Sequence, residues 1–191
     1  TAGSGKTRTL IYIISFLPES ESVVVLSFNS AIARDMQGKL TRGESKTIHS
    51  LGLANIKSFN RAAKVVQGSD DKLKLIAKNY LEKFPQDLDH FKTLQPVIFK
   101  IVHALKDILM VPSEESLKWL LDNSSTIPEL NGYSDNVLNA VTWIFNEAIK
   151  SCDLIDFSDM IYFTAAGLIP SKKYDNILID ESQDLNPSQI E

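Results

Sequence analysis

Two short stretches at opposite ends of this 191-residue chain carry the residue types that phosphate chemistry needs. The first is Thr1-Ala2-Gly3-Ser4-Gly5-Lys6-Thr7-Arg8. Gly3 and Gly5, on either side of Ser4, let a backbone turn tightly and bring N–H groups close to phosphate oxygens. Lys6 sets an ammonium against the β and γ phosphates, and Thr7 offers a hydroxyl to Mg²⁺. The residues from Arg8 to about Leu17 have helical apolar spacing, so phosphates held by Gly3 to Arg8 would sit on a helix N-terminus, where free N–H groups and the macrodipole favour anions. The pattern is the back half of a P-loop. Its first glycine and feeding strand would precede Thr1, which leads us to expect a piece of a longer protein. A Gly-Ser linker before a helix is the plain alternative. The second stretch is Ile177-Leu178-Ile179-Asp180-Glu181, an apolar strand that delivers two carboxylates. Asp180 suits a Mg²⁺ ligand, since Mg²⁺ takes one or two carboxylates and keeps several waters. Glu181 suits a group that orients or deprotonates an attacking water, and Gln183 can report on the γ-phosphate. Asp-Glu after a strand also fits a surface turn or a helix cap.

These ends need elements to bring them together. Val23 to Phe28 is a near-continuous β-branched run, as in a parallel strand buried on both faces. Asn29 or Ser30 can cap a helix from Ala31 to about Leu40. A polar loop, Thr41 to Ser45, leads to a very short strand at Lys46-Thr47-Ile48 and a helix from His49 to about Phe59. From 60 to 152 helical patterns dominate: Lys72 to Phe84, Val97 to Met110, Glu114 to Asp122 and Ser134 to Cys152. Pro85, Pro96, Pro112 and Pro128 punctuate them. Leu154 to Gly167 reads as another helix, and Ile177 to Asp180 as a buried strand. Strands alternating with helices predict an α/β fold with a parallel sheet, whose ligands bind at strand C-termini. The expected division is 1–59 and 153–191 as two parts of one α/β core, with 60–152 as a helical insertion.

Composition narrows the field. Hydrophobic residues make up 43% of the chain, enough for a core. No apolar run approaches the roughly 20 residues that span a bilayer. The single cysteine, Cys152, has no partner for an internal disulfide and fits a reducing, intracellular compartment: cytoplasm in a prokaryote, nucleus in a eukaryote. The net charge of −4 gives no global case for nucleic acid. Between Ala31 and Lys64, however, seven basic residues (Arg34, Lys39, Arg42, Lys46, Lys57, Arg61, Lys64) face two acidic ones (Asp35, Glu44), a local net of +5. A polyanion would use such a stretch; an ordinary solvated face would have it too. Trp119 and Trp143 sit at apolar helical positions and read as core.

Asp180-Glu181-Ser182-Gln183-Asp184 resembles motif II of UvrD/Rep-type superfamily 1 helicases, whose form is DExQD. The resemblance continues into Leu185 to Gln189. Thr1 to Thr7 is similar to motif I, Leu26 to Ala33 to motif Ia, Lys46 to Leu51 to motif Ib, and Asp156-Phe157-Ser158-Asp159-Met160 to the DFxDL segment before motif II. The Phe-Asn form of motif Ia and the Thr-Ile-His-Ser form of motif Ib lean toward the F-box helicase-like branch.

The resemblance implies a P-loop NTPase (RecA-like) domain with a helical 1B-like insertion, ATP and Mg²⁺ as ligands, and single-stranded DNA or a single/double-strand junction as partner. It implies DNA contacts at Phe28, Asn29, Ser30, Thr47 and His49. Phe28 would stack on bases without reading sequence. Phe28 also fits as core at a strand end, His49 as a cap or packed polar residue, and Asp156 as an N-cap. The family's adenine-recognition segment and motifs III to VI, with the arginines that reach the γ-phosphate, are not among these residues. The 191 residues alone are therefore expected to hydrolyse ATP poorly, and the sheet to expose an open strand edge prone to aggregation. Two other classes compete: a P-loop enzyme such as a small-molecule kinase, and a helicase-like binding module without turnover.

Overall fold

The computed structural model describes residues 5–68, 70–124, 127 and 135–190. Gly3 and Ser4, Thr1 and Ala2 before them, and the predicted helix start at Ser134 lie outside the described residues. The chain is a mixed α/β fold in which a small parallel sheet is joined to a larger body of helices.

Helix α1 (Lys6–Phe16) buries Ile14 and lays Leu10, Ile11 and Leu17 against the sheet. Strand β1 (Val23–Ser27) follows with all five residues buried, as its near-continuous apolar run predicts. Helix α2 (Ser30–Lys39) starts at Asn29, whose Oδ1 accepts the N–H of Ala31 at 2.7 Å and of Ile32 at 3.2 Å. Strand β2 (Glu44–Thr47) begins two residues earlier than its sequence suggested. Polar residues suffice there because β2 is an edge strand. Helix α3 (Ile48–Phe59) is capped by the Thr47 hydroxyl, which accepts the Ser50 N–H at 3.1 Å.

Next come strand β3 (Lys64–Val65), helix α4 (Asp71–Lys83), a 3-10 turn at Pro85–Asp87, helix α5 (Leu88–Asp107), helix α6 (Glu114–Asn123) and helix α7 (Asp135–Ile149). The predicted break at Pro96 does not occur, since α5 runs through it for 20 residues. A mid-helix proline costs about 3 kcal/mol. Burial of Phe91, Ile98, Phe99, Ile101, Val102 and Leu105 on one helix offsets that cost. Trp119 is a second correction: it is 43% exposed, while Leu117 and Leu120 turn α6 to the core. Trp143 is half-buried against that core.

Leu154–Ile155 is not helical. It forms strand β4, parallel to β3, with Lys64 opposite Leu154. Helix α8 (Asp159–Ala165) starts only after the turn 156–158. Strand β5 (Asn176–Ile179), a 3-10 turn at Ser182–Asp184 and helix α9 (Pro187–Ile190) complete the described chain.

The main sheet has the order β2-β1-β5, all parallel, with Ser27 opposite Thr47 and Leu26 opposite Ile179. The expectation that β5 is buried on both faces fails at Ile177, which is 53% exposed. Leu178 joins the α1/α2 cluster on one face. The other face opens on a cavity of about 190 Å³ lined by Leu26, Ile161, Ile177, Ile179 and Ile190. A second hydrophobic cluster fills the helical body, from Leu73 and Tyr80 through Val102 to Phe145 and Tyr162. A third, around Ile56, Ile155, Met160 and Phe163, joins it to α3. Among the described residues no helix is long and apolar enough to cross a membrane.

Candidate functional site

Parallel strands end on the same side of a sheet, so the loops after β1, β2 and β5 share one edge. That edge receives Phe28, Asn29 and Ser30, then Thr47 and His49, then Asp180, Glu181 and Gln183. Gly5, Lys6, Thr7 and Arg8 stand at the start of α1. Gly5 has φ 78°, a left-handed conformation that glycine adopts without steric cost. Among the described residues no side chain caps α1 and its first turn holds no acidic residue, which leaves the positive end of its dipole open to an anion beside Lys6.

Lys6 pairs directly with Glu181 across 175 residues of sequence. The hydrogen bond to Glu181 raises the Lys6 pKa above the usual lysine value. The same bond, aided by one from Gln183 Nε2 at 2.7 Å, holds the Glu181 carboxyl below the usual carboxylate range. Glu181 sits at φ 57°, left-handed and strained for a side chain with a Cβ. The Asp180 N–H still donates to the Leu26 carbonyl at 2.9 Å, so this carboxylate is fixed at the last rung of the sheet. Thr7 and Asp180 are half-buried, whereas Arg8 is exposed.

An ammonium, a hydroxyl and two carboxylates around an uncapped helix start fit a phosphate chain with a hard cation. Among the described residues no group of three or more His, Cys, Asp or Glu side chains could hold a metal alone. The Thr7 hydroxyl and the Asp180 carboxylate are hard oxygen donors, and Mg²⁺ takes one or two carboxylates and completes its shell with phosphate and water.

The strand-end residues divide. Phe28 is 58% exposed and so is not core. Asn29 and Thr47 have their side-chain oxygens committed to capping, which leaves the Asn29 amide group as its donor. Ser30 is exposed. His49 is half-buried, its ring stacked on Phe157 at 3.7 Å between centroids and 22° between planes. Burial lowers its pKa, favouring the neutral ring.

The basic stretch is only partly available. Arg42 is spent on the carbonyls of Ile14, Leu17, Pro18 and Glu21 at 2.7–3.3 Å, and Lys57 donates to the Ala63 carbonyl. Lys46 pairs with Glu44 and Lys39 with Asp35.

Sequence reasoning missed a buried cluster of charge. Lys106 meets Asp159 at 2.6 Å and Asp156 at 3.1 Å, and Lys72 meets Asp159 at 2.6 Å. Asp156 also accepts the Asp159 N–H at 2.8 Å, but the N-cap position of α8 is Ser158, so Asp156 braces the turn before the helix and is not its cap. A signal existed: Lys106 falls four residues after Val102, and Lys72 eight before Tyr80, on apolar faces of their helices.

A family model of the UvrD/REP helicase N-terminal domain matches residues 1–191. The chain is also similar to the ATP-dependent DNA helicase Rep of Escherichia coli (strain K12), at 26% identity over 216 residues. All of this chain is covered by that match, and it spans 30% of the length of Rep.

Proposed function

Since this chain belongs to the UvrD/REP helicase N-terminal domain family, we propose that it is the nucleotide-binding N-terminal region of an ATP-dependent superfamily 1 DNA helicase or single-strand DNA translocase. The observation that carries this reading is the Lys6–Glu181 pair, which joins the two phosphate-chemistry stretches into one site.

The start of α1 takes the ATP phosphates, through Gly3, Ser4, Gly5 and the N–H groups up to Arg8, with Lys6 on the β and γ phosphates. Thr7 and Asp180 hold Mg²⁺, which when bound neutralises charge on the phosphates. Phosphate arriving at Lys6 displaces Glu181, and the freed carboxylate orients or deprotonates the attacking water. Gln183, bonded to Glu181, senses that exchange. Single-stranded DNA, alone or at a junction with duplex, crosses the strand-end edge over Phe28, Asn29, Ser30, Thr47 and His49. Residues 1–59 and 153–191 form the nucleotide-binding core, and 60–152 the helical insertion. The 191 residues alone turn over slowly, because the resemblance puts the γ-phosphate arginines in motifs outside them.

The test is ATP hydrolysis by the full-length protein, with and without single-stranded DNA, beside Lys6→Ala. Strong stimulation that disappears in the variant is expected. Turnover indifferent to DNA would point instead to a P-loop enzyme of another class, and absence of turnover to a binding module.

A further inference from the structure

The turn 156–159 is gripped from one side. Asp156 and Asp159 take Lys106 of α5, and Asp159 also takes Lys72 of α4. Lys72 donates as well to the Ala148 carbonyl in α7 at 2.7 Å. Ser158 meets His103 Nδ1 of α5 at 2.6 Å. So three of the four turn residues are bound by the helical body. The fourth, Phe157, is 59% exposed and stacks on His49, beside the end of β2.

A cluster of this kind is a poor source of stability. Both lysines are at least 95% buried and both aspartates completely so. The desolvation cost of four such charges rivals their attraction, and well-packed apolar side chains of the same volume would serve stability as well. What the charges supply is direction. Each ammonium fixes a carboxylate at a defined distance and angle, and the two carboxylates are locked to the turn backbone by the Asp156 N–H to Asp159 bond at 3.1 Å and its reciprocal at 2.8 Å. The turn can then adopt one position relative to α4 and α5, and Phe157 one position relative to His49.

We propose that Lys106 and Lys72 are positioning residues that, through the buried carboxylates of the 156–159 turn and the ring of Phe157, set the orientation of His49 at the strand-end edge. The helical body thereby fixes, through Phe157, the ring of a residue in the first turn of α3. The part of this that concerns DNA rests on the reading of His49 as a nucleic-acid contact.

The test is carried out on the full chain by NMR, following the His49 ring protons, assigned through His49→Gln among the three histidines. The main variant is Lys106→Met with Asp156→Asn, which removes one charge of each sign and leaves the Lys72–Asp159 pair. Phe157→Leu is the second variant and leaves the buried cluster whole. Both are expected to abolish the ring-current shift of His49 and to raise its titration midpoint toward the ordinary histidine value. A folded double variant in which both signals stay as in the wild type overturns the proposal, and so does Phe157→Leu with unchanged His49 signals. Affinity for an oligothymidylate of about 16 nucleotides is measured alongside and is expected to fall about tenfold in the double variant. Displaced His49 signals with unchanged affinity would uphold the positioning and remove His49 from the DNA contacts.

Discussion

At the scale of single residues, the informative oddity is Glu181. Two non-glycine residues among those described have positive φ, Leu109 at 55° and Glu181 at 57°. Leu109 has a structural reason: the Met110 N–H bonds the Leu105 carbonyl and the Leu109 N–H that of Lys106, a Schellman ending for α5. Glu181 ends no α-helix but opens the 3-10 turn Ser182–Asp184, its carbonyl accepting the Asp184 N–H at 3.0 Å. Its conformation, which costs roughly 1–2 kcal/mol, points the carboxylate back to Lys6 instead of along the strand. Strain kept at a candidate base is consistent with a task other than stability. Replacing Glu181 by Gln leaves the shape and removes the base. Turnover by the full-length protein is expected to fall about 10²- to 10⁴-fold. Nucleotide affinity, measured with ADP, is expected to hold or rise, because Lys6 no longer starts from an ion pair. Loss of ADP binding together with turnover would count against the assigned role.

At the scale of elements, the approach of α3 to α8 sets how the sheet meets the helical body. Gly52 makes it possible: a Cβ built there would lie 1.7 Å from the Met160 carbonyl oxygen and 2.7 Å from its carbon. Both are backbone atoms, so no side chain can swing aside. Gly52→Ala must therefore push the helices apart and open the cluster around Ile56, Met160 and Phe163. A loss of about 3 kcal/mol is expected, read as a lowered urea midpoint with unchanged slope. Gly38→Ala, where a Cβ meets nothing within 4 Å, is the control and is expected to be neutral or slightly stabilising. Arg42 acts at the same scale. Its guanidinium gathers four carbonyls where α1 ends and so ties α1 to the loop before β2.

At the scale of the whole molecule, segments far apart in sequence are closed onto each other by charge. Glu44 on the edge strand pairs with Lys172, 128 residues away, and with Lys46. The Lys172 hydrogen bond, then that of Lys46, lowers the Glu44 carboxyl from 4.5 to about 2. A depressed carboxylate contributes stability that is complete above its unfolded value and lost as pH falls through its folded one. The Glu44 contribution is thus present above about pH 4.5 and disappears toward about pH 2. Its side chain is 37% exposed, so solvent screening keeps the effect small. Thermal melts of wild type and Glu44→Gln across that window should converge as pH falls. A constant difference at all pH values would show that Glu44 contributes by packing and not by charge.

Much of this protein is determined locally. The Val23–Leu26 run can only be a buried strand, Asn29 and Thr47 cap the helices that follow them, and Asp180-Glu181 sits where a strand runs out; each depends on neighbours within a few residues. What the tertiary structure decided is which groups meet. No local rule shows that Lys6 closes on Glu181, that Arg42 of a basic stretch is consumed by carbonyls, or that α5 continues through Pro96 because one of its faces is buried. Two-residue strands such as β3 and β4 have no periodicity to read and exist only because they pair. The buried lysines are the sharpest case. A charge on an apolar helix face is costly by itself, and only the carboxylates of a turn some fifty to ninety residues away, brought beside it by the fold, make its burial possible.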